Sequence, residues 1–71
     1  MKLQEKRRYR ITASDGKELE FYPMTIDRIK NELYIKIVSP LSSHQGFVLS
    51  SFESNPNKIE DITDEYNKSN P

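Results

Sequence analysis

Residues 9–22 read YRITASDGKELEFY, and their period is two. Tyr9, Ile11 and Ala13 alternate with Arg8, Arg10, Thr12 and Ser14, the pattern of a half-buried strand. Asp15-Gly16 follows, a strong two-residue hairpin signal, because glycine reaches the positive φ of a tight turn at little steric cost. Leu19 and Phe21 then alternate with Glu18, Glu20 and Tyr22 as the return strand. Arg10 and Glu20 become cross-strand neighbours on the polar face.

Beyond this hairpin the alternation continues with one interruption. Pro23 cannot donate to a ladder, so it marks an edge, a bulge or a strand end. Met24, Ile26 and Ile29 resume the pattern, and Asn31 is suited to the left-handed position of a turn. Leu33, Ile35 and Ile37 alternate with Tyr34, Lys36 and Val38 in the clearest strand of the chain. A loop over 39–46 leads to a last strand over 47–52. That strand is apolar on both faces, which predicts a central position or a cover from the tail.

The tail reads as a short helix. Asn57 with Glu60 three residues later resembles a capping box, and Asn55 before Pro56 is an alternative cap. Ile59, Ile62 and Tyr66 fall on one stripe, which a helix this short must dock against the sheet. The fold predicted is mainly β: a four- to five-stranded antiparallel meander or small, partly open barrel with a short C-terminal helix. Its expected divisions are a basic N-terminal leader (1–6), a β-sheet core (7–53), an acidic amphipathic helix packing on the sheet (54–67) and a frayed tail (68–71). Nineteen of the twenty-four apolar residues lie between Tyr9 and Phe52, which sets the core boundary.

Composition narrows function mainly by exclusion. The chain has 71 residues, no cysteine and one histidine, so disulfides, thiolate chemistry and a histidine-rich zinc site within one chain are ruled out. Gly16 and Gly46 lie too far apart to build a phosphate-cradling loop. Eleven basic and eleven acidic residues balance overall. They divide unevenly: residues 1–10 carry net +4, residues 11–52 net −1, and residues 53–71 net −3. No apolar run approaches the length of a membrane span, and the start of the chain lacks the apolar segment of a secretory signal, so a cytoplasmic location (including a host cytoplasm) is expected. Ordering a chain costs about 1.5 kcal/mol per residue, which apolar burial in so small a body barely offsets. Association is therefore a physical expectation before any motif is read.

Three functional readings arise. The leading one is a non-catalytic module that binds a protein partner or a second copy of itself through Tyr22, Met24, Tyr34 and Val38. These residues form an apolar and aromatic register opposite Leu19, Phe21, Leu33, Ile35 and Ile37. A second is nucleic-acid binding through Lys6, Arg7, Arg8 and Arg10, where cations flank Tyr9 and neighbouring tyrosines could stack on bases. The neutral total weighs against it. The remotest is a hydrolase using His44 beside Ser42 and Ser43; neighbouring loop residues point apart, and no third group to orient the base is evident. Glu18 and Glu20 share a strand face opposite Arg8 and Arg10, which favours ion pairing over acid–base catalysis. No catalytic residue, metal, cofactor, small-molecule substrate or membrane contact is assigned.

Overall fold

The hairpin at Asp15-Gly16 forms with one more loop residue than the two-residue turn expected. Gly16, at φ 87°, donates to the Ala13 carbonyl (2.9 Å), and the Ala13 amide donates to the Lys17 carbonyl (2.8 Å). That is a three-residue loop closed by a left-handed glycine. Its strands are β1 (Tyr9–Thr12) and β2 (Glu18–Asp27), and Arg10 lies opposite Glu20 as the alternation requires.

The computed structural model, which describes residues 2–65, continues with β3 (Glu32–Ser39), β4 (Ser43–Val48), α1 (Leu49–Glu53) and β5 (Lys58–Asp61). Residues 63–65 are helical. The five strands make one open antiparallel sheet in the order β4-β3-β2-β1-β5. The fold is thus mainly β: a meander of four strands, a fifth returning to the outer side of β1, and short helices late in the chain.

Several local expectations give way to tertiary pairing. Ser43–Gly46 belongs to β4 rather than to a loop, because pairing with β3 satisfies its backbone groups whatever its side chains prefer. The last strand over 47–52 is not seen: the strand ends at Val48 and α1 begins at Leu49. Its two-faced apolar pattern arises because Leu49 and Phe52 stand three apart on a helix and both turn towards the core. β4 is also an edge strand, not a central one. The helix expected over 54–67 is replaced at 58–61 by β5, which pairs Ile11 with Ile59 and Arg10 with Glu60. The free side of β1 offered these residues a ladder that an isolated helical turn could not match. Tyr66 and the tail at 68–71 lie outside the described residues. The leader is part of the body, since Leu3 is buried in the core cluster.

Pro23 sits inside β2, buried, opposite Ile35, with a register shift between Pro23 and Thr25. Its missing donor leaves no gap, because β1 has already ended on that side. The Lys6 amide donates to the Pro23 carbonyl (3.1 Å) and the Ile26 amide to Glu5 (2.8 Å), so the leader serves as a partial strand partner.

One sheet face is apolar and carries Tyr9, Phe21, Leu33, Ile35 and Ile37, with Leu3 and Leu49 packed over them. An aromatic series crosses it: Tyr9 stacks on Phe21 (5.7 Å), Phe21 meets Phe52 edge-on (5.5 Å), and Phe52 tilts against Phe47 (4.9 Å). Two polar clasps hold the cover down. Glu53 in α1 receives both arms of Arg28 (2.9 and 3.0 Å) and the Leu3 amide (2.7 Å), joining helix, β2–β3 turn and leader at one carboxylate. Hydrogen bonding to Arg28 holds that carboxyl below its ordinary pKa against the opposing effect of burial.

Asn31 makes the second clasp. It adopts φ 58°, the left-handed conformation its sequence context suggests. Its carbonyl accepts the Leu49 amide (2.9 Å) and its side-chain oxygen the Ser50 amide (2.8 Å). The residue before α1, Val48, contributes no side-chain cap, so Asn31 caps the helix from another turn. Asn31→Gly keeps the backbone conformation and deletes the cap. It should lower unfolding stability by about 1 kcal/mol, read as a shifted urea midpoint at constant slope.

Candidate protein-association surface

The four residues expected at an interface share the polar, outward face of the sheet, but only two stand out from it. Met24 is 44% and Tyr34 47% exposed, while Tyr22 and Val38 are half-buried. Met24 falls at the β2 bulge, and Tyr34 lies over Gly46, where an added Cβ would come within 3.1 Å of its ring. Met24, Tyr34, His44 and Gly46 line a shallow depression of about 290 Å³.

The larger opening is on the other face. The leader and α1 cover only part of the apolar side. A groove of about 510 Å³ remains between Ile11, Leu19, Phe21, Ile37, Phe47 and Phe52. A second hollow of about 450 Å³ shares Ile11, Leu19 and Asn57 with it, so the open strip continues towards Ala13 and Pro40. Leu19 and Phe47, inward by alternation, are 38% and 39% exposed for this reason.

This strip runs out to the free edge of β4. The two edges of the sheet differ in kind. β5 has four residues, three of them charged (Lys58, Glu60 and Asp61), the usual protection against further pairing. β4 has six residues, SHQGFV, with no formal charge and no proline. A sequence signal for this edge exists. Residues 37–52 contain no Asp, Glu, Lys or Arg, whereas the next longest such run is 21–26. Buried cores and interface cores are both poor in charged residues, a signal that hydrophobic alternation alone does not detect.

The basic residues are brought together, but onto carboxylates. Arg7 binds Asp61. Arg8 lies 4.0 Å from Glu20, and Arg10 reaches Glu20 (3.6 Å) and Glu65 (3.1 Å). Lys6 is exposed at a left-handed turn, with φ 69°. The three arginines therefore face acids from β2, β5 and the residues after it. His44 lies opposite Lys36 on the outward face, and Ser43, its neighbour along the strand, turns to the other side. Among the described residues no group of three His, Asp or Glu side chains is placed to hold a metal ion. Among them, too, no helix is long and apolar enough to cross a membrane. Comparison with family models, curated proteins and solved structures returns no match.

The Arg7–Asp61 pair makes a pH prediction. Burial pushes the Asp61 carboxyl up, but hydrogen bonds from Arg7 and from the hydroxyl and amide of Thr63 outweigh it, leaving a pKa of about 2 against an ordinary 3.8. A carboxylate depressed in the folded state stabilises fully above its unfolded value and loses that contribution as pH falls through its folded value. Stability should therefore decline between about pH 4 and pH 2. In Asp61→Asn that part of the acid-unfolding profile, followed by circular dichroism, should flatten.

Proposed function

We infer that the protein is a non-catalytic binding module that acts by protein–protein association. The observation carrying this reading is the coincidence of three features at one place: a charge-free segment, an edge strand built from it that pairs on one side only among the described residues, and an apolar groove that those residues leave open to that edge. Exposed strand edges pair readily with other chains, and partly covered apolar strips gain from being shielded. Phe47 joins all three, being at once in the segment, on the edge strand and in the groove wall. Met24 and Tyr34 line a depression with His44 and Gly46 of β4, which extends the proposed surface to the outward face.

The nucleic-acid reading has less support. Phosphate binding by Arg7, Arg8 or Arg10 would have to displace Asp61, Glu20 or Glu65, and each exchange reduces the net gain.

Phe47→Lys places a charge where strip and edge meet, at a site exposed enough to tolerate it. Wild-type protein should associate, with itself in light scattering or with a partner retained from a lysate of its source cells. Phe47→Lys should lose that association while keeping the wild-type circular dichroism spectrum. If wild type neither self-associates nor retains a partner, or if Phe47→Lys behaves as wild type in both assays, the reading fails.

A further inference from the structure

We propose that the occupant of the β4 edge is the β4 strand of a second copy, paired antiparallel about a two-fold axis through Gln45. This rests on the association reading and names its partner. The argument starts from what the edge selects for. With no charge along its length, β4 has nothing with which to choose a partner of opposite sign, so selection falls to shape and backbone pairing.

Shape favours self-pairing in one register. A strand paired antiparallel with its own copy must set residues of like facing opposite one another. Of the registers that meet that condition, two keep five of the six β4 residues paired, with the axis at Gln45 or at Gly46. An axis at Gly46 sets Gly46 against Gly46, Gln45 against Phe47 and His44 against Val48, pairing small with small and large with large. An axis at Gln45 sets Ser43 against Phe47 and His44 against Gly46, a large side chain beside a small one each time. Gln45 then meets its own copy, where two carboxamides can exchange hydrogen bonds.

The neighbouring strands extend that fit. Ser43 pairs with Ile37 in β3, so the Phe47 ring of the second copy passes over Ser43 towards Ile37. Gly46 pairs with Tyr34, whose ring lies over it, so the second copy's His44 meets the edge of an aromatic ring. The two-fold axis is perpendicular to the sheet, which places both apolar grooves on the same side of a continuous ten-stranded sheet, with the two Phe47 walls at its centre. A C2 contact of this kind uses one patch twice and closes on itself. The charged β5 edges remain outermost, so the assembly stops at two copies.

Single-cysteine variants test the register directly, because the chain has no cysteine of its own. Residues opposed across an antiparallel pair lie about 4.5–5.5 Å apart at Cα, within disulfide reach. Under mild oxidation Gln45→Cys should give a disulfide-linked dimer in high yield and Lys58→Cys, on the other edge, should not. Gln45→Lys, an exposed substitution, sets two like charges against each other on the axis. It should weaken the dimer by up to about fivefold while the fold, followed by circular dichroism, is unchanged. A wild-type protein that stays monomeric up to about 1 mM overturns the proposal, as do equal cross-linking yields at the two cysteine positions. Should that monomer still retain a partner that Phe47→Lys loses, self-pairing fails while the association reading stands.

Discussion

The structure is governed by a mismatch: its sheet has a larger apolar face than the other described residues cover. The five strands present Tyr9, Ile11, Leu19, Phe21, Ile35, Ile37, Phe47 and Ile59 to one side, and among the described residues Leu3, Leu49 and Phe52 form most of the cover. That cover is held at the end of the sheet where β2 turns into β3: α1 follows β4 directly, Asn31 caps it, and Glu53 ties it to Arg28 and to the leader backbone. Held there, helix and leader leave the strip towards Ala13 and Pro40 open. Buried apolar area contributes about 25 cal/mol per Å², so an open strip is stabilising surface that the lone chain leaves unused.

Charge is distributed with the same asymmetry. Arg7, Arg8 and Arg10 face acids from three parts of the chain, which draws β5 and the residues after it onto β1. Such exposed pairs contribute modestly to stability, each on the order of 1 kcal/mol or less. Their greater effect is on specificity: one edge of the sheet becomes charged and closed, and the other is left neutral and open. The net charge of zero conceals this division, since nearly all ionic contacts among the described residues lie away from β4.

The alternation of residues 9–22 and 33–38 was enough to read the sheet, its hairpin and the Arg10–Glu20 pairing from sequence. Asn31 was legible for a local reason, its tolerance of the left-handed conformation, although its role as a distant helix cap was not. Before Val38 the departures are small, one extra residue in the hairpin loop and Leu3 of the leader packed in the core; the larger ones fall after it, where local preference and tertiary pairing disagree. Ser43–Gly46 has a loop-like composition and Lys58–Asp61 a helix-like one, yet both form ladders because β3 and β1 each had a free side. Alternation put Tyr22, Met24, Tyr34 and Val38 together on the outward face, and the structure has them there. The groove opposite was hidden, because whether Leu19 and Phe47 are covered depends on where α1 ends, and no local pattern carries that length.

Hydrogen exchange along the two sheet edges, compared between dilute and concentrated protein, tests the central claim most directly. Pairing at β4 predicts that amides within 43–48 exchange more slowly as concentration rises, while those within 58–61 are unaffected. Exchange that does not depend on concentration at either edge, or that slows at β5 and not at β4, would contradict the account.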